Sequence, residues 1–165
     1  MKRAKPADKP LRGLSGRLVL LGAGKMGSAM LEGWLARGLD PRKLAVLEPH
    51  PTKAIQALAR RGVTINPRKK IFEASAVVVA VKPQNAPEAM PTLEPFVGKS
   101  PRALSIMAGR TVAFLQGALP AGTAIVRAMP NTPAAIGRSI TVACANPMVS
   151  ARQRKLASSL LSAIG

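Results

Sequence analysis

The chain has 165 residues, 47% of them hydrophobic, enough for one buried core and one domain rather than two. Its one cysteine, Cys144, cannot close an intramolecular disulfide, no Cys/His spacing suits zinc, and no apolar run approaches the ~20 residues that span a bilayer. A soluble, cytoplasmic protein without a membrane partner is therefore expected; and although 25 Lys and Arg against 7 acids (net charge +18) attract polyanions, aromatics at 2% offer few stacking platforms, so no specific nucleic-acid partner is expected.

Residues 1–12 are rich in Lys, Arg and Pro without an apolar period, and residues 1–15 read as a disordered basic tail ahead of one domain over 16–165. Leu18-Val19-Leu20-Leu21 is a continuous apolar run ending in glycines, the pattern of a buried parallel strand. Met26, Ala29, Met30, Gly33 and Trp34 then recur at helical spacing, and Gly38 is placed to stop that helix. The alternation repeats with a strand at 44–47, a helix over 52–61, a short strand at 63–65 and an apolar strand at 77–81. Further strands fall at 103–107 and 124–128, with a helix starting after Thr111 between them. A last strand at 140–144 precedes a helix capped by Ser150, with Gln153 as its reciprocal partner. This order predicts an α/β protein: a Rossmann-like, doubly wound, mostly parallel sheet with helices on both faces.

The loop Gly22-Ala23-Gly24-Lys25-Met26-Gly27 joins the first strand to the first helix, which is the context a dinucleotide-binding GxGxxG requires. Gly22 allows the tight turn, Gly24 lets backbone approach a pyrophosphate, and Gly27 lets the helix pack close to the strand with its N-terminal amides facing the anion. The domain is thus expected to bind NAD(P). Glu48 ends the second strand, where an acid hydrogen-bonds the adenosine ribose hydroxyls and repels a 2′-phosphate, although His50 and Lys53 follow closely enough to offset that repulsion. The cofactor reading stays at NADPH or NADH. His50, the sole histidine, lies between two prolines in a turn and reads as a surface residue rather than a catalytic or metal-binding one.

Four further segments follow in order: Ala80-Val81-Lys82-Pro83-Gln84, Ser105-Ile106-Met107-Ala108-Gly109, Arg127-Ala128-Met129-Pro130-Asn131-Thr132-Pro133, and Leu160-Leu161-Ser162-Ala163-Ile164-Gly165. Behind the glycine loop, at this spacing, they closely resemble pyrroline-5-carboxylate reductase from about Arg17 to the last residue. The resemblance implies hydride transfer from NAD(P)H to the C=N bond of 1-pyrroline-5-carboxylate, giving L-proline. It implies that Gly22 to Gly27 hold the pyrophosphate and that Ala80, Val81, Lys82 and Pro83 run along the cofactor. Ala108 and Gly109 would close the far side of the nicotinamide pocket, and Met129, Pro130 and Asn131 would meet the ring, Asn131 bonding its carboxamide. No catalytic residue is assigned, because a cyclic imine takes its proton from water and the protein mainly positions the reactants. Lys82 either holds an anionic group or pairs with backbone carbonyls, Arg127 reads as structural, and Met107 and Met129 read as core or pocket packing.

The family continues past residues 163–165 into a helical domain that forms the dimer and completes the substrate pocket. A homo-oligomer is therefore expected only where that domain is present. Two departures concern charge: the family often has a small hydroxyl residue where Glu48 stands, and the basic run Arg68-Lys69-Lys70 occupies a turn that is often less basic. Beside the reductase stand two other readings, a dinucleotide-binding module without turnover and a basic nucleic-acid-associated protein on a Rossmann-like scaffold.

Overall fold

The computed structural model describes residues 11–67, 72–98 and 101–165; most of the expected basic tail and the Arg68-Lys69-Lys70 run lie outside them. Runs of aliphatic residues without polar alternation form strands covered on both faces. The strands β1 (Leu18–Leu21), β2 (Leu44–Leu47) and β4 (Ala76–Val79) are buried at every position. With β3 (Thr64–Ile65), β5 (Arg102–Ser105), β6 (Ala124–Pro130) and β7 (Thr141–Ala145) they form one sheet in the order β3-β2-β1-β4-β5-β6-β7. All pairings are parallel except β6 with β7, which is antiparallel.

Side-chain alternation divides the core into two clusters, one on each face. Leu18, Leu20, Leu44 and Val46 face the layer of α1 (Lys25–Ala36), α2 (Lys53–Ala57) and α5 (Ala151–Leu161). Val19, Leu21, Ala45 and Leu47 face α3 (Ala86–Ala89) and α4 (Val112–Ala118). The strand order reverses direction at β1, between β2 and β4, and doubly wound sheets bind ligands at the carboxyl ends of the strands beside such a switch.

Local signals set the helix ends. Thr111 accepts from the Phe114 N–H, and Ser150 and Gln153 form the expected capping box, with bonds of 3.3 and 2.7 Å. Gly38 follows α1 at φ +89°, the left-handed conformation that ends a helix. The segment between β4 and β5 has no counterpart in the sequence expectations. It forms a 3₁₀ turn at Pro83–Asn85, the short α3, and a longer 3₁₀ stretch at Met90–Phe96. Pro83, Pro87, Pro91 and Pro95 each lack an amide donor, which prevents an unbroken α-helical ladder, while Ala86, Met90, Leu93 and Phe96 still present one buried face.

The sequence boundary at residue 15 needs correction. Leu11 is buried in the core, its N–H bonds the Arg37 carbonyl at 3.3 Å, and Lys43 Nζ donates to the Leu14 carbonyl. A leucine in an otherwise basic, proline-rich stretch was enough to anchor it. At the other end, buried Trp34 donates its indole N–H to the Leu160 carbonyl at 2.9 Å, clamping α1 to the end of α5. No helix among the described residues is long and apolar enough to cross a membrane.

Candidate functional site

The glycine loop leaves β1 at the topological switch. Gly22 has φ +90°, and a Cβ there would lie 2.8–2.9 Å from Val81 and from the Ala80 carbonyl group. A Cβ on Gly27 would lie 2.2 Å from the Gly22 carbonyl oxygen. Both glycines are therefore required by close packing of the loop, α1 and the end of β4. Gly24 differs: a Cβ there meets nothing within 4 Å.

Gly24 is also the N-cap of α1, without a side-chain cap and with no acid in the first turn. The amides of Lys25, Met26 and Gly27 precede the first helical bond, from the Ser28 N–H to the Gly24 carbonyl at 2.8 Å. Donors without side-chain caps, the positive end of a helix dipole and open space above Gly24 together suit an anionic group. Lys25 is exposed and Met26 half-buried against the core. Ser28 Oγ donates to the Ala23 carbonyl at 2.7 Å and fixes the turn.

Glu48, half-buried at the end of β2, reaches this loop. Its Oε2 accepts from the Ala23 N–H at 2.8 Å and its Oε1 from the His50 N–H at 3.1 Å. Its main chain is held in turn by Asn66, whose Oδ1 accepts from the Glu48 N–H and whose Nδ2 donates to the Glu48 carbonyl, both at 2.8 Å. Asn66 adopts φ +46° just after β3, a conformation asparagine tolerates better than most residues. Its only local mark in the sequence is an asparagine between a short strand and Pro67. His50 is exposed.

The other three expected segments end neighbouring strands on the same edge. Ala80 donates its N–H to the Leu21 carbonyl at 2.8 Å; Ala80, Val81 and Pro83 are half-buried. Lys82 is exposed, with no hydrogen bond to a backbone carbonyl among the described residues. Ala108 and Gly109 are exposed beyond β5, Gly109 at φ +65°. Arg127 Nε donates to the Arg110 carbonyl at 2.5 Å, and Arg110 donates to the Pro83 carbonyl at 2.9 Å while stacking on Phe114. Two arginines thus tie the ends of β4, β5 and β6 together; Arg110 lay one residue past the motif and was missed.

At the end of β6, Met129 is 44% exposed, so it does not pack the core as Met107 does. Pro130 is half-buried and Asn131 exposed. Asn131 Oδ1 accepts from the Ile140 N–H at 3.0 Å and its own N–H donates to Ser139 Oγ at 3.2 Å, closing the loop that leads to β7. The group it can offer a ligand is its side-chain NH₂.

Residues 17–109 match the family model described as NADP oxidoreductase coenzyme F420-dependent. A pyrroline-5-carboxylate reductase of Mycobacterium tuberculosis is 31% identical over 156 residues, covering 90% of this chain and 53% of that enzyme. The solved pyrroline-5-carboxylate reductase of Coxiella burnetii superposes with a TM-score of 0.82 at 28% identity, covering 92% of this chain and 57% of its own. The Plasmodium falciparum enzyme, solved with NADP bound, shares the fold at a TM-score of 0.71 and 23% identity, over 90% of this chain and 54% of its own. The chain thus spans about half the length of the curated relatives it matches.

Proposed function

This chain belongs to the NADP oxidoreductase coenzyme F420-dependent family, and on that footing we propose that it is the nucleotide-binding part of a pyrroline-5-carboxylate reductase. The reaction is hydride transfer from NADPH or NADH to the C=N bond of 1-pyrroline-5-carboxylate, giving L-proline. The observation that carries the reading is convergence: the glycine loop and the segments at 80–83, 108–109 and 129–131 all lie at the carboxyl ends of β1, β4, β5 and β6.

The bound nicotinamide supplies the hydride; the chain binds and orients. Gly22 to Gly27 present the first-turn amides of α1 to the pyrophosphate, and Glu48 receives the adenosine ribose. Ala80 to Pro83 line the path of the cofactor, and Ala108 and Gly109 close its far side. Met129 and Pro130 meet the ring, and the Asn131 side-chain NH₂ is offered to the carboxamide. No acid–base pair is needed, since the imine nitrogen takes its proton from water.

A second reading, nucleotide binding without turnover, is favoured by the exposed Met129, Ile136, Ile140 and Val142 beside the substrate end. A dimer belongs to the proposal only together with the helical domain that the family resemblance adds; a cytoplasmic setting goes with the same proposal. One experiment separates the readings. Purified chain is titrated with NADH and NADPH, then mixed with the cyclic imine while nucleotide oxidation is followed. Binding followed by oxidation supports the reductase; binding without oxidation supports the module. Nucleic-acid retention at physiological salt, with no nucleotide affinity, would overturn both.

A further inference from the structure

We infer that the amino-terminal edge of the sheet carries a second anion site, formed around Arg102 and Arg152, that takes a phosphate group; the inference stands apart from the nucleotide-binding reading above. β4 and β5 begin at this edge, whereas the glycine loop leaves the carboxyl edge. A cavity of about 360 Å³ opens here between residues 14–16, Ser75, Arg102 at the start of β5 and the first turn of α5. Two guanidinium groups line it, and no carboxylate does among the described residues. Neither arginine has an ion-pair partner among them. The wall at 14–16 is held in place: Leu11 is buried, Lys43 Nζ donates to the Leu14 carbonyl at 2.6 Å, and the Ser75 N–H donates to the Arg17 carbonyl at 2.8 Å. Gly16, at φ +94°, packs so closely on Ser75 that a Cβ would overlap its hydroxyl.

The donors of this cavity are only partly used. Arg102 is half-buried; its Nη1 donates to the Ser75 carbonyl at 3.1 Å, but its Nε is buried without an acceptor. A buried guanidinium N–H left unpaired is costly, and an anion in the adjoining cavity would offset that cost. Arg152 makes one long contact, from Nη2 to Ser15 Oγ at 3.4 Å, which leaves most of its donors available. The capping box of α5 adds to them. Gln153 Oε1 accepts from the Ser150 N–H, so its NH₂ remains to donate, and Ser150 Oγ accepts from the Gln153 N–H, so its hydroxyl hydrogen remains as well. Glutamate closes such a box equally well but would bring a carboxylate to the cavity wall; glutamine makes the cap without negative charge. Two cations match the charge of about −1.5 to −2 on a phosphate monoester at neutral pH better than the single charge of a carboxylate. Guanidinium forks also suit phosphate oxygens.

The probe is inorganic phosphate, titrated into the full chain and read calorimetrically and by the thermal midpoint. Saturable binding is expected, weakened about tenfold or more by Arg102→Gln or Arg152→Gln, as for loss of a charged hydrogen bond. Gln153→Glu preserves the capping box, so its midpoint without phosphate should hold, yet its carboxylate should abolish binding. No saturable binding in the parent, or binding unchanged in Gln153→Glu, overturns the inference. Equal displacement by chloride at the same ionic strength, the mark of general attraction to a basic surface, also overturns it. So does a signal lost in Gly24→Ala but kept in Gln153→Glu, which would belong to the glycine loop. Competition identifies the source of the phosphate. Displacement by pyrophosphate but not by oligothymidylate supports a site for small phosphate compounds; displacement by both, each losing its own binding in Gln153→Glu, supports the same site reading a nucleic-acid backbone.

Discussion

The two ends of the candidate site are built differently. Around the glycine loop, polar groups are paired within the chain: Ala23 with Glu48, Glu48 with Asn66, Ser28 with Ala23, and Gly22 with Leu47. Gly22 and Gly27 pack so closely that a methyl group has no room. On the β6–β7 side, Ile136, Ile140 and Val142 are each more than 70% exposed, and Met129 and Met148 are also exposed. The first region is held in place by the chain's own hydrogen bonds and packing. The second presents apolar area that contributes little to the folding of this chain, since hydrophobic stabilisation follows area removed from water. Nucleotide binding should therefore be a property of this chain alone, and insensitive to changes at the exposed apolar side chains of β7 and the loop before it, Ile136, Ile140 and Val142.

Gly27→Ala should disrupt the glycine-loop region most severely. Its methyl would sit 2.2 Å from the Gly22 carbonyl oxygen, a backbone atom that cannot rotate away. Overpacking of this kind costs about 1–3 kcal/mol or somewhat more, so urea midpoints should fall and nucleotide affinity with them. Unchanged stability would mean that the loop and helix are not in contact as described. Trp34→Phe comes next. It leaves the Leu160 carbonyl without its indole donor in a buried position, at about 1–3 kcal/mol, yet lies away from the loop. Stability should drop while NADH affinity holds; a parallel loss of affinity would show that the glycine-loop region is not independent of the α1–α5 clamp.

Much of this was legible in the sequence because single residues carry strong local signals. The buried strands have no polar alternation, Thr111 and Ser150 cap helices by side chains whose chemistry suits nothing else so well, and glycines at 22 and 27 mark close approach. What was not legible depends on distance in the chain. The Glu48–Asn66 pair spans 18 residues and Arg110 to Pro83 spans 27, and neither contact leaves a periodic trace. The proline-spaced helical segment was hidden for another reason: a residue that usually ends helices recurs along its exposed side. The weakest sequence inference was at Leu11, where composition outweighed one buried side chain.

Gly24→Ala sharpens the comparison from the ligand's side. Because the added methyl meets nothing in the protein, stability should stay within about 0.5 kcal/mol of the parent. The methyl would instead occupy the space above the α1 amides, and nucleotide affinity should fall about tenfold, equivalent to about 1.4 kcal/mol. Set beside Gly27→Ala, it separates a glycine kept for packing from a glycine kept for a ligand. Unchanged affinity for both nucleotides would place the pyrophosphate elsewhere.

The smallest effect is expected at Val142→Ser. Val142 lies opposite Met129 in the antiparallel β6–β7 pair and is 73% exposed, so serine removes little buried area and no main-chain bond. The loss of a β-branched side chain costs at most a fraction of the ~1 kcal/mol that the strand-propensity scale spans, and NADH affinity should be unchanged within about twofold. A denaturation midpoint shifted by much more than this would mean that Val142 is covered in solution, as it would be if two copies met along β7. The shift should then depend on protein concentration, because dimer burial enters stability by mass action. A concentration-independent shift would locate the contact within one chain, and the contrast between a closely packed glycine loop and an open β6–β7 face would fail at the side that defines it.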